Sequence, residues 1–288
     1  NDQTASVTLA GADIDVSGKG KAAVSTTGEG NVSIELDGEN TLKSATNHAG
    51  LEKNNGGSLT IADEDKNGKL TAEGGIYGAG IGGGYEGEGS NIAITGGEVK
   101  ATGGKYGAGV GGGLSGNGNH ITITGGEVKA TGGLNGAGIG GGLWGKGKDI
   151  TISGDAQLKV QGGVGDYFDG PGAGIGDGGS RPKESTGGNP IPGTEVEPDT
   201  SGLTTNGSIE YYAPGADMEK DKPEKTTVGT LPPQEKPVEP IEPAEPEQPE
   251  AERGMDAPLY RVTDRDGRNI AYTAEQKGGV LTVTVDED

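Results

Sequence analysis

A parallel β-solenoid is the fold this 288-residue chain predicts, and three observations predict it. A block of sequence recurs at a fixed interval, its apolar residues alternate in short runs, and paired glycines separate those runs. The recurring block is Ile92-Ala-Ile94-Thr-Gly-Gly-Glu-Val99-Lys-Ala-Thr-Gly-Gly, which returns as Ile121-Thr-Ile123-Thr-Gly-Gly-Glu-Val128-Lys-Ala-Thr-Gly-Gly after 29 residues. A second block, Gly78-Ala-Gly-Ile-Gly-Gly-Gly84, returns at Gly107 and Gly136 with the same period and more loosely at Gly172. Degenerate copies extend upstream, where Leu51 and Val24 take the place of Ile81, and Ile34 and Leu9 take that of Ile94.

Each repeat is read as one coil of three short strands. Runs such as Ile121/Ile123, Val128/Ala130 and Ala137/Ile139 alternate with polar residues, the period of a strand with one buried face. No helical period survives between them. Gly-Gly, Asn-Gly and Asp-Gly pairs supply the corners, because these residues reach positive φ at little cost. Six coils result, and one axial column is predicted to run Val24, Leu51, Ile81, Val110, Ile139, Ile175. Stacking of this kind lets a chain with few large apolar residues bury a continuous core, since every coil is covered by its neighbours. At about 4.8 Å per strand the rod is roughly 25–30 Å long.

The predicted architecture is all-β: a right-handed parallel β-helix over residues 1–180, then an irregular extension over 181–221 that caps it or adds a coil. A Pro- and Glu-rich linker follows at 222–252, and a small, truncated β-unit at 253–288. Residues 1–180 hold 51 of the 62 glycines and only one proline, Pro171, which sets the first boundary. Pro237, Pro240, Pro243, Pro246 and Pro249 recur every third residue, matching the turn of polyproline II. Leu259–Val262 and Val280–Val285 read as strands.

Composition narrows the function. The formal charge of −21 argues against nucleic acid, whose binders carry a basic footprint. No apolar run is long enough to span a membrane. The absence of cysteine excludes disulfides and thiolate zinc sites. With no initiator Met and no leader-like segment, the sequence is expected to be a mature fragment, and the chain is expected to be a monomer.

The Ile-Thr-Ile-Thr-Gly-Gly-Glu-Val-Lys-Ala-Thr-Gly-Gly and Gly-Ala-Gly-Ile-Gly-Gly-Gly blocks resemble glycine-rich repeats of secreted, wall-associated proteins of anaerobic Gram-positive bacteria. The coils of those proteins are similar to the pectate-lyase-like right-handed β-helix. The resemblance covers residues 1–180 and implies display outside the cell, at the bacterial surface or secreted, with non-catalytic carbohydrate binding as in some relatives. It transfers no site residue.

Candidate sites were therefore read from the residues. Lys100, Lys129 and Lys159 follow inward-facing positions and form a ladder on one outer face, suited to an anionic polysaccharide or to an ion-pair ladder with Glu98 and Glu127. Tyr85, Trp144, Tyr167 and Phe168 make a sugar-stacking platform or pack within the loop column. Asp63, Asp65 and Asn67 copy the first half of an EF-hand loop, but Gly74 stands where its bidentate Glu belongs, leaving a looser Ca2+ site or a solvated turn. Gly78-Ala-Gly80-Ile-Gly-Gly83 spells a dinucleotide fingerprint without the helix that the fingerprint needs, so it is read as turn glycine. Catalysis is disfavoured. The solenoid has no Arg, Asp166, Asp169 and Asp177 are its only late acidic cluster, and His48 and His120 have no evident Ser or Asp partners. The expected function is an extracellular polysaccharide-binding or adhesion module. The alternatives are a stalk that binds nothing and a polysaccharide lyase or hydrolase centred on residues 166–177.

Overall fold

The computed structural model describes residues 3–182 and 189–232, together with the strands Tyr272–Lys277 and Val280–Val285. Among the described residues there are strands and turns and no α-helix. Three parallel sheets run along a common axis. Sheet A stacks Thr4–Ala10, Asn31–Asp37, Leu59–Ala62, Ile92–Ile94, Gly118–Ile123 and Gly147–Ile152. Sheet B stacks Asp13–Asp15, Glu39–Lys43, Lys69–Glu73, Glu98–Thr102, Glu127–Thr131 and Gln157–Gln161. Sheet C stacks Val24–Thr26 and Leu51–Lys53 on the two-residue strands Ile81–Gly82, Val110–Gly111, Ile139–Gly140 and Ile175–Gly176. The chain visits A, B and C in turn six times, as a parallel β-helix.

Register follows the repeat. Ile94 pairs with Ile123 and Ile123 with Ile152 in sheet A, while Val99, Val128 and Leu158 are aligned in sheet B. The predicted column in sheet C is present, with Val24, Leu51, Ile81, Val110, Ile139 and Ile175 paired one after another. From Leu51 to Ile175 each of these is fully buried. At the first rung the alignment is the same but the cover is thinner: Ala12, Ile14 and Val24 are only partly buried.

Glycine is indispensable where coils touch through backbone. A Cβ at Gly107 would fall against the carbonyl oxygen of Gly78 in the coil below, inside van der Waals contact. The second residue of each short sheet C strand, at Gly82, Gly111, Gly140 and Gly176, has φ between 130° and 139°, a region L side chains rarely adopt.

Beyond residue 182 the chain continues the stack. Ser208–Tyr212 adds to sheet B in parallel after Gln157–Gln161, and Lys225–Val228 then pairs with it antiparallel. That last strand lies inside the segment read from sequence as linker. At the opposite end Val280–Val285 meets sheet C through Leu281 and Val24, and pairs with Tyr272–Lys277 as a hairpin. Residues 233–252 of the predicted linker and the predicted strand at 259–262 lie outside the described residues.

Candidate functional site

The segments flanking the short strands of sheet C carry aromatic side chains in consecutive coils. Tyr77 and Tyr106 follow the 29-residue period and stack at 5.6 Å between centroids, while Tyr85 meets Tyr77 edge-on at 5.5 Å. The Lys105 ammonium sits over the Tyr106 ring at 4.7 Å. Further along, the Arg181 guanidinium lies over Trp144 at 5.2 Å, and Tyr167 meets Phe168 edge-on. Of the nine exposed large hydrophobic side chains among the described residues, six belong to this strip: Ile76, Tyr85, Trp144, Val164, Tyr167 and Phe168. Edge-on and offset ring contacts are favourable by about 0.5–1.5 kcal/mol each, so the repeat reinforces this ladder.

The far end of the strip is rigidly held. Asp169, only 3% exposed, accepts hydrogen bonds from Trp144 Nε1 at 3.1 Å and from Arg181 through Nε at 3.1 Å and Nη2 at 2.9 Å. Asn135, which occupies the place of Tyr106 one coil on, donates to the carbonyls of Asp169 and Gly170 and ties down the loop that bears Tyr167 and Phe168. Asp166 caps the same loop, held below the usual carboxylate range mainly by the Asp169 N–H, with a further N–H from Phe168. Asp177 binds Lys146 at 2.8 Å and the Gly147 N–H at 3.0 Å. The late acidic cluster thus serves as structural ties, each carboxylate engaged by donors of its own.

The lysine ladder is in register, as Lys100 pairs with Lys129 and Lys129 with Lys159. Its partners are not the ones the sequence offers. Glu98 bonds Lys69 at 2.9 Å, and Lys129 and Lys159 share the carboxylate of Glu219 at 2.8 and 3.1 Å. Glu219 arrives on the segment after Tyr212, which Gln161 Nε2 anchors through the carbonyls of Ala213 and Ala216. Those lysines hold the Glu219 carboxyl below its usual range, through hydrogen bonds first and charge second. Lys100 is exposed, with no carboxylate partner among the described residues.

Asp63 and Asp65 do come together, but with Glu35 of the preceding coil, the three carboxylates lying within 4.8 Å of one another. Asn67 instead stitches the turn, accepting from the Gly38 N–H at 3.1 Å and donating to Asp65 at 2.9 Å. Burial, and then the charges of Glu64, Asp63 and Asp65, push the Glu35 carboxyl up. Three carboxylates this close lower their energy by taking up a proton or a divalent cation.

Both histidines have carboxylate partners that the sequence did not suggest. His48 Nδ1 is 2.8 Å from Glu52 Oε2, and His120 Nε2 is 3.4 Å from Asp149. Glu52 stands where the next coil has Gly82, a departure from the repeat that a coil-by-coil alignment reveals.

A model of the beta helix repeat family matches residues 66–85, 92–114 and 121–143, the first two of which carry Tyr77, Tyr85 and Tyr106. This is a β-helix protein. No curated protein and no solved structure matches the chain. The family describes the β-helix and not a ligand, so the chemistry of the ring strip carries the functional argument.

Proposed function

We propose that this β-helix is a non-catalytic extracellular module of a bacterial surface that binds polysaccharide along the ring strip flanking sheet C. The observation that carries the reading is the run of rings along the coils, in which half-buried Tyr77 stacks on half-buried Tyr106 at 5.6 Å and meets exposed Tyr85 at 5.5 Å, with Trp144, Tyr167 and Phe168 exposed further along. A sugar ring presents an apolar face that stacks on an aromatic one, and its hydroxyls are met by the polar groups between the rings. A polymer repeats along its length as the coils do, so weak contacts at each rung add to useful avidity. The resemblance of the repeats to wall-associated proteins supports display outside the cell. With Lys129 and Lys159 already engaged by Glu219, the balance of the surface favours neutral over anionic polymers.

The test is a glycan array that includes pectic, mucin-type, xylan and mannan polymers. Binding of a neutral polymer is expected, and Trp144→Ala is expected to weaken it about tenfold, or about 1.4 kcal/mol. Silence across the array, or unchanged affinity in Trp144→Ala and Tyr106→Ala alike, overturns the proposal.

A further inference from the structure

The ring strip does not stop at Tyr77 and Tyr85. Both residues are hydrogen-bonded through their backbone to the coil below, Tyr77 N–H to the Thr46 carbonyl at 2.8 Å and Tyr85 N–H to the Asn47 carbonyl at 2.7 Å. Thr46 and Asn47 line a half-open recess of about 190 Å³ together with His48, Ser17 and the glycines of the first coil. Small-molecule pockets usually hold about 300–1,000 Å³. A recess of this size takes one ring of a longer ligand whose remainder lies outside it, along the strip.

His48 is the oriented group in that recess. Its Nδ1 is 2.8 Å from Glu52 Oε2, and the Glu52 side chain is 8% exposed. The same carboxylate accepts the Ala49 N–H at 3.1 Å, while its other oxygen accepts Asn54 Nδ2 at 2.7 Å. Burying a carboxylate is costly unless donors surround it, and here three do. With Nδ1 turned to Glu52, Nε2 is the polar atom of the ring left for a ligand. A carboxylate that fixes one imidazole nitrogen so that the other faces a ligand is the usual arrangement of a histidine that works. The later coils have glycine at this position, in Gly82, Gly111 and Gly140, and the first has Ser25, so the carboxylate is particular to this coil.

We propose that this recess is a subsite for the hydroxyl groups of a neutral sugar, with His48 as a binding residue and Glu52 as its positioning residue. The inference rests on the polysaccharide reading of the ring strip and extends it to a defined end of the ligand. Imidazole, hydroxyl and amide groups together offer the donors and acceptors that vicinal hydroxyls take, and the Glu52 carboxylate behind the imidazole disfavours a uronate carboxylate.

The chain has only two histidines, so a direct test exists. Imidazole nitrogen–proton spectra of the 15N-labelled full chain are recorded at neutral pH during titration with galactomannan, arabinoxylan and, separately, polygalacturonate. A neutral polymer is expected to shift the His48 ring signals while those of His120, paired with Asp149 on the rim of sheet A, stay in place. His48→Gln should weaken that polymer about tenfold, and Glu52→Gln should weaken it while changing the His48 tautomer signature. Binding that leaves the His48 signals still, or that occurs only with polygalacturonate, overturns the subsite. If Tyr106→Ala weakens binding and His48→Gln does not, the ring strip stands and the recess falls. If none of the polymers binds, both fall.

Discussion

On the outer face of sheet B the repeat places Lys100, Lys129 and Lys159 in register, and beside sheet C it places Tyr77 over Tyr106 in the same way. The non-repetitive segments treat the two ladders differently. The segment after Tyr212 folds back so that Glu219 lies between two of the lysines, whereas the loop at residues 164–169 adds two more exposed rings beyond the tyrosines. Repetition stacks like on like at strand spacing. Like charges at that distance repel and require a counter-charge, while rings attract and require nothing. Here Glu219 of the same chain closes two of the three lysines, while the rings of Tyr85, Tyr167 and Phe168 stay exposed.

The comparison depends on one axis shared by both ladders, and Gly107→Val should break it. A side chain there meets the Gly78 backbone, which has no flexible end to yield. A loss of at least about 3 kcal/mol in urea unfolding is expected, together with loss of both ladders. A Tm within a degree of the parent would contradict the backbone stacking described above.

Next in size is Ile123→Ala, at a fully buried rung between Ile94 and Ile152. It should cost about 2–5 kcal/mol by denaturant titration, because neighbours locked in register cannot collapse into the cavity. Ile76→Ala, on the exposed strip, should stay within about 0.5 kcal/mol of the parent. Equal effects at the two positions would mean that the core is not axial.

A smaller effect is expected from Glu219→Gln, which opens the closed ladder. Because Lys129 and Lys159 hold its carboxyl below the usual range, Glu219 supports the fold above the ordinary glutamate pKa, and that support is lost as pH falls through the lowered value. The variant should melt slightly below the parent at neutral pH and level with it in acid, and low-salt retention on polygalacturonate should rise. Unchanged retention would show that the freed lysines are not a docking surface.

The smallest effect, and the opposite sign, belongs to Glu35 on the second strand of sheet A. Its carboxyl is raised, so the folded state holds that proton more tightly than the unfolded chain. This contribution is fully present below the ordinary glutamate pKa and is lost as pH rises through the raised one. Glu35→Gln should therefore raise Tm at neutral pH and lose its advantage in acid, as thermal melts across pH 3–8 would show. A fall in Tm at neutral pH would mean that a bound cation outweighs the repulsion.

The β-helix could be read from the sequence because its core is made by translation. Once the period and the alternation are known, the partner of Ile81 is the residue one coil on, and the column from Val24 to Ile175 follows by counting. Tyr85, Trp144, Tyr167 and Phe168 were visible as bulky residues in a glycine-rich loop column, but the sequence left open whether they pack in that column or stand exposed, and the structure exposes them. Ile76 and Lys105 were missed although each directly precedes a ring, at Tyr77 and Tyr106, and Arg181 because it lies past the last repeat.

What the sequence determined by itself is therefore whatever repeats: the coils, their register, the buried columns and the two ladders. What only the tertiary structure decided is whatever contact does not obey the period. Glu219 meets Lys129 from 90 residues away, Glu35 completes the Asp63 and Asp65 cluster from another coil, and Glu52 turns towards His48 instead of solvent. The physical reason is that a strand's neighbours are fixed by hydrogen bonding at a constant offset, whereas a loop's contacts depend on where the whole stack puts its ends.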